Sequence, residues 1–184
     1  MIFNRHSELQ DKHAFLSPSN HSWLNYTDQK LEARFYTVMA ARRGTALHKL
    51  AHDAINLGVK LSRGEQSLCT YVADAIGYRM VCEQVLFFSE NCFGTADTIC
   101  FKRNILRIHD LKTGITATSE KQLEIYAALF CLEYGVDPFT IRIILRIYQR
   151  EEIREFEPPP ELIVSIMQTI IDFDQQIEMI KEAL

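Results

Sequence analysis

The sequence has few of the features that mark a membrane, secreted or repetitive protein. Its 184 residues include only seven glycines, five prolines and one tryptophan, and no repeat or low-complexity tract appears. The five cysteines show no C-x-x-C pairing, and no apolar N-terminal segment has the length of a signal peptide or membrane span. We therefore expect a single domain over residues 1–184 that is cytoplasmic, has no membrane contact and holds its cysteines as core thiols.

An excess of charge of one sign is also absent. The 20 Lys and Arg residues against 24 Asp and Glu residues give a net charge of -4, which argues against a protein that coats nucleic acid by charge alone. The same balance is compatible with carboxylates that are neutralised by a bound metal. With 47% apolar and 24% charged residues, the composition is typical of one soluble globular domain with a sizeable core.

The hydrophobic pattern predicts helices first, then three strands, a helix, a strand and a final helix. The first third contains two helical stretches, TDQKLEARFYTVMAARRG with a Thr27 or Asp28 cap and GTALHKLAHDAINLG, and a third helix is expected over 65–76. The stretches EQVLFFSE, FGTADTICF and NILRIHDLKTG are rich in β-branched and aromatic residues and are joined by turns. They predict a meander of three strands.

The second half returns to helix and strand. SEKQLEIYAALFCLEYG predicts a helix with a Ser119 cap that ends at Gly135, and FTIRIILRIYQRE alternates like a strand. The proline run EPPPE connects it to a final amphipathic helix. The predicted fold class is α/β, with a mixed, mostly antiparallel central sheet flanked by helices.

Two carboxylates and a lysine stand out at the ends of neighbouring predicted strands. Asp97 ends the small-residue stretch GTAD, and Asp110 and Lys112 share one side of the next strand because strand side chains alternate. Two acids held close together repel unless a cation lies between them, which favours Mg²⁺ or Mn²⁺. A lysine beside the metal can assist an attacking water and offset charge on a phosphate.

These residues resemble a known pattern. GTAD followed by HDLKTG resembles the G-x-x-D…D-x-K motif of the PD-(D/E)xK nuclease superfamily, in its RecB-like branch. GTALH resembles that branch's G-x-x-x-H helix, QLEIY its Q-x-x-x-Y helix, and LSPSNHSWLNY its Ser-Pro-Ser entry segment. Four motifs in the right order are more specific than D-x-K alone. The resemblance implies a restriction-endonuclease-like core.

The resemblance also implies a role for each matching residue. Asp97, Asp110 and Lys112 would be catalytic, and the metal ligands would be the two aspartates with His48 and the carbonyl group of Leu111. The residues expected to lie behind these ligands or to orient the substrate are Glu83, Gln122 and Tyr126. Some relatives hold an iron-sulfur cluster on cysteines near both ends, but this chain has none before Cys69 or after Cys131. No iron-sulfur cluster is therefore expected.

Other polar residues have two interpretations each. His52 would be a packed or outer-layer histidine, and His109 should face away from the site by alternation. The candidate phosphate contacts are Arg42, Arg43, Arg142 and Arg146. For the last two, an exposed sheet face is an equally good interpretation, and the first two are by default solvated charges.

The resemblance implies a Mg²⁺- or Mn²⁺-dependent nuclease that hydrolyses phosphodiester bonds in DNA, most simply an exonuclease of phage-type recombination, replication or repair. Its partners would be DNA, a single-strand annealing or other recombination protein, and further copies of itself. One alternative is a non-catalytic nucleic-acid-binding or assembly protein on a nuclease fold. Another is a metal-dependent hydrolase with a different substrate. Cleavage that is lost with Lys112→Ala would reject both.

Overall fold

The computed structural model describes residues 14–114 and 119–183. They belong to two compact units, Met1–Arg43 and Gly44–Leu184. The prediction of one domain over the whole chain stays a prediction. The helices are α1 (Asp28–Leu57), α2 (Gln66–Tyr78), α3 (Lys121–Tyr134) and α4 (Pro160–Glu182), and the strands are β1 (Val81–Ser89), β2 (Cys92–Lys102), β3 (Ile105–Lys112), β4 (Arg142–Gln149) and β5 (Glu152–Phe156). Short 3-10 helices cover His21–Asn25 and Pro138–Thr140.

The second unit is an α/β structure built on one five-stranded sheet. Its strands lie in the order β1-β2-β3-β4-β5, with β3 and β4 parallel and the other neighbours antiparallel. The predicted meander of three strands is confirmed. The parallel β3–β4 pair needs a crossover connection, which α3 supplies, because a tight turn can join only antiparallel strands.

Helices cover both faces of this sheet. One buried cluster joins the sheet to α3 and α4 and includes Leu106, Ile108 and Leu145 from the central strands. A second cluster joins the other face to residues 44–57 of α1 and to α2, and includes Leu111 and Tyr148. Because both faces are covered, most side chains of β3 and β4 are buried, including the polar His109 and Asp110.

Local sequence accounts for several element ends. Thr27 accepts a hydrogen bond from the backbone N–H of Lys30 at the start of α1. Gly135 ends α3 in the left-handed conformation, with φ of 61°, as predicted. Ser119 lies one residue before the helix cap and accepts a weak bond of 3.3 Å from the backbone N–H of Lys121. The start of α3 is therefore close to the predicted position.

Three details differ from the sequence analysis. The two helical stretches of the first third form one continuous helix, since Gly44 is buried inside α1 and does not interrupt it. The edge strand β5 was not predicted, because five residues with intermediate or exposed side chains give a weak pattern. The face of β4 that carries Arg146 and Tyr148 is not an exposed sheet face, because α2 covers it.

The five cysteines are all free thiols. Cys100 and Cys131 are buried as predicted, whereas Cys69, Cys82 and Cys92 are half-buried. Within the part of the chain that the structure describes, no helix has the length and apolar character needed to cross a membrane.

Candidate functional site

The candidate site lies where β2 and β3 separate. The backbone pairing of these strands begins at Lys102 and Ile105 and ends at Thr98 and His109, while β3 continues beside β4 as far as Lys112. The next residues along the two strands are Asp97 and Asp110. The fork between the strands therefore carries both predicted acidic residues.

A side-chain hydrogen bond replaces the backbone pairing at this fork. The backbone N–H of Leu111 donates to Oδ2 of Asp97 over 3.0 Å. A buried N–H group without a partner costs free energy, so this carboxylate satisfies a donor that the departing strand has left. The bond also fixes the Asp97 side chain against β3, next to Asp110.

The alternation of side chains along β1 and β2 switches faces where Glu83 stands opposite Asp97. In β2, Ala96 and Ile99 both pack in the cluster under α3, although residues three apart in a regular strand point to opposite faces. Glu83 has a φ of 51°, which non-glycine residues rarely adopt, and the pair of Glu83 with Asp97 is missing from the ladder between Cys82↔Thr98 and Gln84↔Ala96. Uncommon backbone conformations of this kind are frequent at functional sites.

The switch lets Glu83 and Asp97 line a small cavity with two histidines of α1. His48 Nδ1 lies 3.7 Å from Oδ2 of Asp97, and His52 Nε2 lies 3.7 Å from Oε2 of Glu83. The cavity measures about 20 Å³, which is room for about one water molecule. Tyr71 also lines this cavity. His52, which was expected to be a packed or outer-layer histidine, belongs to this group.

The negative charge at the cavity affects the pKa values of neutral groups beside it. Burial, then Glu83 and Asp97, raise the pKa of the Cys82 thiol to about 11. Burial, then Asp97, raise the pKa of Tyr71 above its usual range. Both groups therefore stay protonated at neutral pH, and neither competes with the carboxylates for a cation.

Asp110 is the most deeply buried acid of the site, with 2% of its surface exposed. Its Oδ1 lies 3.0 Å from Nζ of Lys112, but its buried Oδ2 has no hydrogen-bond partner in the described residues. Burial, followed by the nearby charge of Asp97, raises the pKa of this carboxyl group. A buried carboxylate with an open oxygen is an arrangement that a cation would stabilise.

Lys112 is held from two sides. Besides its contact with Asp110, its Nζ donates to Oε1 of Gln122 over 3.0 Å, and Nε2 of Gln122 donates to the hydroxyl group of Tyr126 over 3.1 Å. Gln122 and Tyr126 lie one turn apart on α3, so both reach the same side. The structure therefore brings together the lysine and the two helix residues that the sequence singled out.

Close contacts leave no room for a side chain at two glycines, Gly94 of the stretch GTAD and Gly44 of the stretch GTALH. A Cβ atom on Gly94 would lie 2.8 Å from Cε1 of Tyr126, and one on Gly44 would lie 2.7 Å from Oγ1 of Thr113. Neither distance is compatible with a side chain. Gly94 thus lets β2 pass under the ring of Tyr126, and Gly44 lets α1 approach the end of β3.

The four predicted phosphate contacts are divided between the two units. Arg42 and Arg43 belong to the first unit, and Arg142 donates over 2.8 Å to Glu157. Arg146 pairs with Glu155 and, over 2.8 Å, with Asp74 of α2. Arg142 and Arg146 are thus already paired with carboxylates, while their role as phosphate contacts stays a prediction.

A buried polar network on the other face of β3 was not predicted. Tyr148 donates to Asp74 over 2.7 Å and lies 3.2 Å from Nδ1 of His109. Burial, then the charges of Arg146 and Arg107, lower the pKa of His109 to about 3, so it is neutral. His109 faces away from Lys112, as alternation predicts. Asp74 and Tyr148 are 74 positions apart, so no local pattern could have paired them.

The residues present fit a hydrated divalent cation better than a fully protein-bound one. Across residues 14–114 and 119–183, no three His, Cys, Asp or Glu side chains come close enough together to hold a metal ion. Mg²⁺ commonly keeps several waters and binds through one or two carboxylates, a requirement that Asp97 and Asp110 can meet. Direct coordination by His48 and by the carbonyl group of Leu111 stays a prediction.

Comparison of this chain with protein-family models, with curated proteins and with solved structures gave no match.

Proposed function

We propose that this chain is a metal-dependent DNA nuclease with Asp97, Asp110 and Lys112 as its catalytic residues, on a restriction-endonuclease-like core. The observation that carries the proposal is the buried Oδ2 of Asp110, which has no hydrogen-bond partner among the described residues. Its other oxygen contacts Lys112, and the charge of Asp97 is close enough to raise its pKa. Two carboxylates and an ammonium group in this arrangement suit the chemistry of phosphodiester hydrolysis.

In this proposal Asp97 and Asp110 hold Mg²⁺ or Mn²⁺. When bound, such an ion supplies positive charge at the phosphate and lowers the pKa of a water. Asp97 keeps its place through the N–H group of Leu111. Because Asp110 is buried, it holds its oxygens in one position without competition from solvent.

Lys112 would position the reacting groups. An ammonium group has three N–H donors, and two of them face Asp110 and Gln122. The third can donate to a water or to a phosphate oxygen and offset the charge that builds there in the transition state. Tyr126 would act indirectly, because it accepts from Gln122 and so keeps that amide turned toward Lys112.

The substrate class and partners follow from the motif resemblance. A small nuclease with these motifs and without a phosphate-binding loop resembles the exonucleases of phage-type recombination, replication and repair. We therefore propose that the protein acts on DNA ends and has a single-strand annealing or other recombination protein as partner. We also propose that it associates with further copies of itself.

The test is cleavage of linear double-stranded DNA by the purified chain with Mn²⁺, with Mg²⁺ and with excess chelator. Wild type should degrade the DNA only with metal. Lys112→Ala should lose about 10²- to 10⁴-fold in single-turnover rate, the usual range for a residue that assists proton transfer. Lys121→Ala, an exposed lysine on α3, is the matched control and should behave as wild type.

The same assay separates the alternatives. DNA binding without metal-dependent cleavage would replace the nuclease by a nucleic-acid-binding protein. Cleavage that survives Lys112→Ala would remove this lysine from the mechanism. A closed circular substrate, which only an endonuclease can open, tests the preference for ends.

A further inference from the structure

A cavity in the first unit is not used by the proposed metal centre. It has a volume of about 350 Å³. Its polar and aromatic walls come from the segment before α1 and from α1 itself, and include Ser17, Ser19, Trp23, Tyr26, Arg34 and Arg42. Every described residue that lines the cavity lies within residues 14–43.

Two positive charges line this cavity, and no described residue of its wall carries a carboxylate to neutralise them. Arg34 and Arg42 are exposed and make no hydrogen bond or ion pair with any described residue. Val38, between them on α1, also lines the cavity, so one side of the helix faces it. No acidic residue lies among the described residues of its wall. An unpaired guanidinium group is well suited to bind a phosphate through two parallel hydrogen bonds.

Two aromatic rings stand in the same wall. Trp23 is half-buried and is fixed by the hydrogen bond of 3.0 Å from its Nε1 to the backbone carbonyl group of Ser17. Tyr26 is half-buried as well, and Nζ of Lys30 lies 4.8 Å from its ring centroid. Aromatic side chains that are held in place offer a face on which a nucleobase can stack.

Small polar side chains complete the wall. The hydroxyl groups of Ser17 and Ser19 lie 2.8 Å apart, and Asn20 accepts a hydrogen bond of 3.0 Å from the hydroxyl group of Ser22. Such groups hydrogen-bond with sugar and phosphate oxygens as well as with each other. The cavity thus combines positive charge, aromatic surface and hydroxyl groups.

We infer that this cavity binds one nucleotide unit, with the phosphate at Arg34 and Arg42 and the base against Trp23 and Tyr26. A volume of about 350 Å³ lies at the lower end of the range for small-molecule pockets, about 300–1,000 Å³, which fits a single nucleotide and not a longer stretch of strand. A free phosphate would use the arginines alone. The aromatic rings therefore favour a ligand that also carries a base.

Two ligands share this chemistry. One is a free nucleoside monophosphate, and the other is the terminal nucleotide of a single strand. Trp23 is the only tryptophan of the chain, so its fluorescence reports on this cavity alone. The experiment titrates the full-length protein, in excess chelator, with a deoxynucleoside monophosphate, the deoxynucleoside without phosphate, inorganic phosphate and a short single-stranded oligonucleotide. Fluorescence is corrected for nucleotide absorbance.

The monophosphate should quench Trp23 saturably and bind at least about tenfold more tightly than the deoxynucleoside or inorganic phosphate, since charged hydrogen bonds and stacking both contribute. Tighter binding of the oligonucleotide identifies a strand as the source, and equal binding identifies the free nucleotide. Arg34→Gln and Arg42→Gln should each weaken binding of the monophosphate about tenfold. Arg63→Gln, an exposed arginine outside the cavity, is the matched control.

Absence of quenching by both nucleotide ligands would overturn the inference. So would binding that both arginine variants leave unchanged, or inorganic phosphate that binds as tightly as the monophosphate. Because chelator is present, the result does not depend on metal-dependent cleavage. Lys112→Ala should bind the monophosphate as wild type does, so failure of the nuclease proposal and failure of this one are distinguishable.

Discussion

Oδ2 of Asp97 accepts a hydrogen bond of 3.0 Å from the backbone N–H of Leu111, across the fork between β2 and β3. One carboxylate thus has two tasks. It satisfies a backbone donor that has lost its strand partner, and in the proposed function it also holds a cation. Substitutions can separate these tasks, because the first needs only an acceptor oxygen and the second needs a negative charge.

Asp97→Asn should retain the hydrogen bond and lose the charge, whereas Asp97→Ala should lose both. We expect Asp97→Ala to lower the free energy of unfolding by about 1–3 kcal/mol, the cost of a buried donor without a partner. Asp97→Asn should unfold close to wild type in urea. Neither variant should cleave DNA. Cleavage by Asp97→Asn would show that the carboxylate acts on folding alone.

Asp110→Asn should stabilise the metal-free protein near neutral pH. Burial and Asp97 raise the pKa of Asp110, so its favourable contribution exists below the unfolded pKa of about 4 and is lost as pH rises through the folded pKa. The difference in free energy of unfolding between the variant and wild type should therefore grow from pH 4 upward. Urea unfolding in chelator at several pH values measures it.

Added Mn²⁺ should make wild type more stable than Asp110→Asn, which reverses their order of stability without metal. Wild type should gain stability with metal concentration, and Asp110→Asn should gain little, because a ligand stabilises only the state that binds it. Glu151→Gln, which neutralises an exposed turn carboxylate, should follow wild type throughout. Undiminished Mn²⁺ binding to Asp110→Asn by calorimetry would remove this residue from the metal centre.

Gly94→Ala should disturb the support of Lys112 from a distance. The new Cβ would lie 2.8 Å from the ring of Tyr126, which must move and release Gln122. Overpacking of this kind costs about 1–3 kcal/mol, and the cleavage rate should fall with little change in metal affinity. Gly77→Ala, on α2 with open space around it, should instead stabilise the protein by about 0.5–1 kcal/mol. If Gly94→Ala and Gly77→Ala change stability and cleavage rate equally, the contact between Gly94 and Tyr126 is not what matters.

The variant His48→Ala tests whether His48 binds the metal directly or only lies beside a residue that does. Mn²⁺ accepts imidazole more readily than Mg²⁺ does, so a direct ligand should matter more for Mn²⁺. We expect wild-type activity with Mn²⁺ at least equal to that with Mg²⁺, Ca²⁺ to support DNA binding but little hydrolysis, and the variant to lose more with Mn²⁺. Initial rates against metal concentration measure this. Equal losses would show that His48 is no ligand and that it acts on DNA, on folding or on Asp97, 3.7 Å away.

The amino-acid sequence by itself determined the local features. Period-two alternation and short turns predicted β1 to β3 as a meander, and Gly135 predicted the end of α3. The same alternation placed Asp110 and Lys112 on one side of β3 and His109 on the other. These predictions held because β3 is a regular strand, in which successive side chains point to opposite faces.

Only the tertiary structure decided the rest, because the contacts involved join distant parts of the chain. The fork at Asp97 exists since β3 follows β4 beyond the point where β2 leaves it. The switch of faces at Glu83 requires a positive φ that no residue type in the stretch demands. The pairing of Arg146 with Asp74 crosses 72 positions. Burial and polar satisfaction across such separations follow from packing, which periodicity does not encode.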